Sequence, residues 1–269
     1  MRPLRHGPSG MTAHSLTVRA LIPVKPLSVC KRRLASVLGN EERQALGLWM
    51  LHHLLHVLAA SPSQRPLVLS DDATVRSLCQ RHATEWAPDP GADLNDTLDR
   101  AAASAFAKGW PAILFLPADL PLVTAEDVED LLARYAEGGP VILAPAVRDG
   151  GTNAVLFGAS SGFRFQMGHG SFARHGEQAE RLGLRWQACE SPGLAFDLDT
   201  PEDLQQVTLP AHLVEWYGRQ RVLPDADRGG QWHLEGAAGE AISPSLPRKA
   251  WGTGTFPLLT KEGLGEVPS

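Results

Sequence analysis

Short apolar runs alternate along this chain with longer stretches in which apolar residues recur every three or four positions. The runs "TVRALIPV" (17–24), "PLVLS" (66–70), "AILFL" (112–116), "PVILAPAV" (140–147) and "NAVLFG" (153–158) lack the polar alternation of half-exposed strands. They predict strands buried on both faces. Between them, "NEERQALGLWMLHHLLHVLAA" (40–60), "DDATVRSLCQRHA" (71–83), "LNDTLDRAAASAFAKG" (94–109), a segment opening at Thr124 and "SFARHGEQAERLG" (171–183) predict helices. Asn40 is the expected N-cap of the first, Gly109 ends the third, and Thr124 with Asp127 forms a capping-box pattern. Strands alternating with helices predict an α/β fold, a single Rossmann-like three-layer domain with a mostly parallel sheet, over residues 16–208. Residues 1–15 read as a loose extension without the apolar segment of a secretory signal. Residues 209–269, rich in Gly, Pro and Ser, predict an irregular tail in which only 210–220 extends as a short helix.

Composition narrows the function classes. With 43% hydrophobic and 20% charged residues, the 269-residue chain has the make-up of an ordinary globular protein. A formal net charge of −5 with no long basic run argues against nucleic acid as a partner. No apolar stretch reaches the ~18 residues of a membrane span. Cys30, Cys79 and Cys189 lie far apart and match neither a zinc spacing nor a disulfide framework, which fits a reducing cytoplasm.

The chemistry is expected outside the carboxyl ends of the strands, where open α/β sheets bind ligands. The run 112–116 delivers Asp119 there, between Pro117 and Pro121. A carboxylate at the edge of a core needs a lysine, a helix N-terminus or a metal ion opposite it. After the first strand, "PVKPLSVCKRRL" (23–34) offers Lys25, Lys31 and Arg33, charges suited to nucleotide phosphates or simply a solvated basic turn. In "DPGADLNDTL" (89–98), Gly91 permits close backbone approach and Asn95 presents an amide able to read a base edge; a loop with a helix cap is the plainer reading. In "LAFDLDTPEDL" (194–204), a short strand is expected to end in Asp197 and Asp199, on one face by alternation. Such a pair of carboxylates suits Mg²⁺, while Thr200, Pro201 and Asp203 explain themselves as a helix start. In "DGGTNAVLFGASSGFRFQMGHGSFARHGEQA" (149–179), Thr152 follows two glycines, and Gly168, Gly170 and Ser171 open a helix. Backbone N–H groups and Ser171 Oγ would make an anion site there. His169 and His175 read as capping or surface residues outside the chemistry.

Taken in order, "IPVKPLSVCKRRLA", "LSDD", "LN" before a helix, "LPADLPLV", "GGTNAVLF", the pattern F-x-M-G-H-G-S-F-x-x-H and "FDLDTPEDL" resemble the guanylyltransferases of coenzyme F420 biosynthesis, the CofC/FbiD group, over residues 21–204. Cys30 and Arg32 are minor departures. The resemblance implies a nucleotidyltransferase-type fold and transfer of GMP from GTP to 2-phospho-L-lactate, phosphoenolpyruvate or 3-phospho-D-glycerate, with release of pyrophosphate. It implies Mg²⁺ on Asp119, Asp197 and Asp199, which with Lys31 form the catalytic set. By the same resemblance Thr152, Gly168 and Ser171 would take the acceptor; Lys25, Lys31, Arg33, Gly91 and Asn95 are expected, from their own chemistry, to take the nucleotide. The product would pass to a downstream transferase of the same pathway. A homodimer is a guess from the habit of such folds. A sugar-phosphate or molybdopterin nucleotidyltransferase would carry a Gly-rich loop after the first strand, and "PVKPLSVCKRRL" has no glycine. A non-catalytic nucleotide-binding protein would have no need of three converging carboxylates.

Overall fold

A computed structural model describes residues 17–61, 63–138, 141–209 and 212–221 of the chain. Residues 1–15 and most of the expected tail lie outside the described residues. Seven strands form one sheet: β1 (Val18–Pro23), β2 (Gln64–Leu69), β3 (Glu85–Ala87), β4 (Ala112–Phe115), β5 (Val141–Pro145), β6 (Thr152–Gly158) and β7 (Trp186–Ala188). Their order is β3-β2-β1-β4-β6-β5-β7. Every pairing is parallel except those of β6, which runs antiparallel to both β4 and β5.

The two-sided burial expected of these strands follows from the period of two along each of them. In β1, Val18, Ala20 and Ile22 join one core cluster while Leu21 joins the other. In β4, Ala112 and Leu114 face the first cluster, and Ile113 and Phe115 the second. The first cluster is completed by α1 (Asn40–Ala59), α2 (Ala73–Arg81) and α4 (Ala125–Ala136), the second by α3 (Leu94–Ala107) and α5 (Ser171–Arg181). These are the three layers.

Local signals explain most helix ends. Thr124 and Asp127 form the expected capping box, with Thr124 N donating to Asp127 Oδ2 at 2.8 Å and Asp127 N to Thr124 Oγ1 at 3.3 Å. Asp72 caps α2 and also accepts from Leu27 N at 2.9 Å, tying the loop after β1 to that helix. Gly109 stops the chain after α3 with φ +87°, a conformation glycine adopts at no cost. The cap of α1 is Gly39 rather than Asn40, because Glu42 Oε2 reaches back to accept from Gly39 N at 2.6 Å.

Three features depart from the sequence expectation. The edge strands β3 and β7 are three residues each, too short to leave a periodic signal. The strand expected to end at Asp199 does not form. Ser191 instead caps a turn of helix, α6 (Pro192–Ala195), and the chain then runs extended to a second short helix, α7 (Pro201–Leu204). Finally, α8 (Leu213–Arg221), close to the helix expected over 210–220, packs on α1. Tyr217 is 1% exposed and donates its hydroxyl to Gln44 Oε1 at 2.7 Å, so the packed fold continues past residue 208. No described helix is long and apolar enough to cross a membrane.

Candidate active site

The chain runs outward from β1 to β2 and β3, then returns to place β4 on the other side of β1. The strand order therefore switches between β1 and β4, and a crevice opens at their carboxyl ends. Lys31 follows β1 and Asp119 follows β4. Lys31 adopts a left-handed backbone (φ 47°, ψ 41°), unusual for a side chain with a Cβ. That conformation directs its ammonium between Asp119 Oδ2, 2.8 Å away, and Asp199 Oδ1, 2.9 Å away. The lysine side chain is 8% exposed. Burial alone would depress its pKa, but the charges of Asp119 and Asp199 outweigh burial and hold it above the ordinary lysine value.

Asp197 and Asp199 reach the crevice without a strand. Leu198 N donates to the Asp119 carbonyl at 3.1 Å, and Leu198 itself is fully buried. Alternation along the extended segment then turns both aspartates outward. Opposite them stands Arg148, in the turn after β5. Its Nη2 lies 2.6 Å from Asp197 Oδ2 and 3.3 Å from Asp199 Oδ2, and its Nη1 lies 2.7 Å from Asp203 Oδ2. Asp203 also accepts from Asp199 N at 2.8 Å and Thr200 N at 2.7 Å, so the expected helix start doubles as the brace for Arg148. The aspartates respond differently. Burial raises the pKa of Asp197, with the charge of Asp119 adding to it, and Arg148 does not cancel the two. Asp199 is equally desolvated, yet Lys31, Arg148 and Arg33 together pull it below the ordinary carboxylate value.

Among the described residues, no group of three or more His, Cys, Asp or Glu side chains stands arranged to hold a metal ion. The carboxylates are turned onto Lys31 and Arg148 instead. Their chemistry still suits a hard divalent cation, because two carboxylates already share one positive charge and all the donors are oxygens.

A cavity of about 590 Å³ runs from this cluster across the end of β1 to the loop after β3. Lys25, Lys31, Gly91, Asp119 and Asp199 line it. Arg33 and Asn95 do not. Arg33 is 71% exposed and lies on Asp199 at 3.2 Å. The Asn95 side chain is turned away to accept from Met167 N at 2.6 Å, which straps the loop before α5 onto α3.

The expected anion cradle at the start of α5 is built otherwise than the sequence suggests. Gly170 N donates to the Asp149 carbonyl, Ser171 N to Gly168 and Phe172 N to Gly150, at 3.2, 3.0 and 3.1 Å. The turn through Gly150 therefore occupies the N–H groups a ligand would use. Ser171 Oγ is buried and lies 2.9 Å from Thr152 Oγ1, which lies 3.0 Å from His175 Nδ1. His175, read from sequence as a surface or capping residue, is fully buried, and burial pushes its pKa down to about 4. Gln166 N donates to its Nε2 at 2.9 Å, so the neutral ring keeps its proton on Nδ1 and gives it to Thr152. The Thr152–Ser171 pair then has two hydroxyl protons and one mutual bond. One proton has no acceptor among the described residues. Gly168, exposed at φ +113°, likewise has no hydrogen-bond partner for its N–H there.

Arg148, Asp203 and His175 were missed as site residues. Arg148 carried a usable signal, being the first charge after an apolar run, as Asp119 is. His175 closes the pattern F-x-M-G-H-G-S-F-x-x-H, but its burial against β6 and the loop before α5 left no mark in the spacing.

A protein-family model described as "Guanylyl transferase CofC like" matches residues 18–215. The phosphoenolpyruvate guanylyltransferase of Rubrobacter xylanophilus is 38% identical over 192 residues, 71% of this chain and 94% of that protein. The 2-phospho-L-lactate guanylyltransferase of Methanothrix thermoacetophila is 35% identical over 227 residues, 79% of this chain and 94% of that protein. Among solved structures, a putative nucleotide-diphospho-sugar transferase from Desulfovibrio desulfuricans G20 superposes with a TM-score of 0.60 at 22% identity, covering 70% of this chain and 84% of that one. At that identity the likeness concerns the fold alone.

Proposed function

The chain belongs to the CofC-like guanylyl transferases, and we propose that it moves GMP from GTP onto the phosphate of a small phosphorylated carboxylic acid. Phosphoenolpyruvate and 2-phospho-L-lactate are the first candidates, since relatives at 38% and 35% identity carry those names; 3-phospho-D-glycerate is the third. The chain is a nucleotidyltransferase. The observation that carries the finer reading is the meeting of Lys31, Asp119 and Asp199 at one end of a nucleotide-sized cavity.

An oxygen of the acceptor phosphate attacks the α-phosphorus, and the bond to the β-phosphate oxygen breaks in line, releasing pyrophosphate. Two polyanions must meet, so positive charge held in place lowers the barrier. Lys25 and Lys31 meet the nucleotide phosphates in the cavity. Arg148, on the far side of Asp199, faces the incoming acid. The spare hydroxyl proton of the Thr152–Ser171 pair and the free N–H of Gly168 supply donors for that acid. No protein base is required, because the attacking phosphate is already ionised at neutral pH. Mg²⁺ on Asp119, Asp197 and Asp199 would add charge neutralisation between the two substrates. The product then passes to the transferase that attaches the acid to the deazaflavin precursor of coenzyme F420.

Pyrophosphate release from GTP, measured with each acid in turn and with the downstream transferase present to trap the product, tests this reading. Release with at least one acid is expected. None with any of the three, from folded protein supplied with Mg²⁺, refutes it.

A further inference from the structure

We propose that Asp89 is the residue that selects guanine, by accepting hydrogen bonds from the N1–H and 2-amino group of the base. The inference rests on the guanylyl transfer proposed above and names the base-reading group of the same cavity.

The cavity is lined by chemically distinct segments. Lys25, Lys31, Asp119 and Asp199 come from the chain after β1, β4 and α6, and Asp89, Gly91, Ala92, Asp93, Leu94 and Thr97 from the loop after β3 and the first turn of α3. The other lining residues, Leu27, Val29, Cys30, Gly47 and Met50 among them, carry no charge. With its phosphates at the charge cluster, a nucleoside triphosphate in this cavity is proposed to lay its base against the loop after β3. No cation and no side-chain amide lines the cavity from that loop. Its polar side chains are two carboxylates and the Thr97 hydroxyl. A carboxylate is a pure acceptor. Guanine offers two adjacent donors on its Watson–Crick edge, N1–H and the 2-amino group. Adenine presents the lone pair of N1 at the corresponding place. A carboxylate therefore attracts guanine and repels adenine.

Of the two carboxylates, Asp89 is the one held in place. Its Oδ1 accepts from Gly91 N at 3.0 Å and from the Thr97 hydroxyl, and its own N donates to Asp71 Oδ1 at 3.3 Å. Gly91 makes this possible. A Cβ there would collide with the backbone N of Thr97, so only glycine lets the loop close onto the first turn of α3. Oδ1 is thereby occupied, and Oδ2 has no hydrogen-bond partner among the described residues. Asp93, by contrast, is exposed and caps α3 through Asp96 N at 3.0 Å. A group fixed on one oxygen and open on the other is preorganised to read a base, whereas an exposed cap is not.

Asp89→Asn tests the proposal with little risk to the fold. The amide keeps an Oδ1 for Gly91 and Thr97 and turns an NH₂ toward the guanine donors. Calorimetric titration of wild type and variant with GTP, ITP and ATP reads the effect without depending on turnover. ITP has N1–H but lacks the 2-amino group. GTP should bind D89N roughly ten- to a hundredfold more weakly, as for loss of a hydrogen bond to a charged group. ATP should bind unchanged or better, and the wild-type preference for GTP over ITP should shrink. Equal weakening of all three nucleotides would mean a merely structural role and overturn the proposal. So would an unchanged GTP/ATP ratio, or a ratio that moves in Asp93→Asn instead. A GTP preference that depends on Asp89, in a protein that releases no pyrophosphate with any acid, would sink the transfer reading and leave this one standing.

Discussion

Replacing Lys31 by Met removes the ammonium and keeps most of the alkyl stem, so the loss is nearly all electrostatic. At an effective dielectric constant of 20, each contact of the ammonium with a carboxylate is worth about 4 kcal/mol before desolvation. Desolvating the lysine takes back several kcal/mol, and breaking a buried pair costs about 3–5 kcal/mol net. Here the lysine is 8% exposed, but Asp119 and Asp199 are 31% and 29% exposed, so water screens the orphaned charges. Asp199 keeps Arg33 and Arg148; Asp119 has no other cation partner among the described residues. The expected cost is therefore about 2–3 kcal/mol. For a domain of this size that is a fall in melting temperature of about 4–12 °C. Thermal unfolding in a chelator measures it. Saturating Mg²⁺ should then raise the variant's melting temperature more than the wild type's, because the ion no longer competes with Lys31 for the same oxygens. Turnover should be lost in either medium. Identical melting temperatures in the chelator, or a smaller Mg²⁺ increment in K31M, would refute the view that ammonium and metal share this position.

The remaining predictions concern the neighbouring groups. Asp119→Asn or Asp197→Asn should abolish pyrophosphate release in a protein that still folds, since Lys31 keeps Asp199 and Arg148 keeps Asp199 and Asp203; Mg²⁺-dependent activity near that of wild type would remove these residues from the catalytic set. Ser171→Ala should raise the KM for the acid about ten- to a hundredfold and leave GTP affinity intact, and an unmoved KM would leave the Thr152–Ser171–His175 network with a structural role only. His175 titrates at about 4 when folded, against an ordinary 6.5. Between those values the unfolded chain binds a proton that the folded ring refuses. Its contribution is therefore intact above pH 6.5 and falls as the pH drops toward 4, by about 3 kcal/mol in all. Denaturant midpoints across that window should show the loss in wild type and a flatter profile in His175→Asn, and parallel profiles would contradict it.

What the sequence determines by itself here is local. A run such as Ala112–Leu116 states that both faces of a strand are buried, since successive side chains point to opposite sides whatever strand lies beside it. Thr124 and Asp127 cap α4 because both partners lie within one turn. Asp119 is assigned to the crevice by following its strand, without any knowledge of its partner. The partnerships themselves come from the tertiary structure. Lys31 meets Asp119 across 88 residues of chain and Asp199 across 168, a meeting that exists only because the strand order places β1 beside β4. The same holds for Arg148, which closes on Asp197 and Asp203 over 49 and 55 residues. The N-terminus of α5 makes the point in reverse. Its glycines and Ser171 read as an open anion cradle, but the carbonyls of Asp149 and Gly150 fold back and take the N–H groups. A side chain's type declares what it can bond. Which bond it makes is settled by what the sheet brings within 3 Å, because hydrogen bonds and ion pairs decay over distances far shorter than the chain that separates their partners.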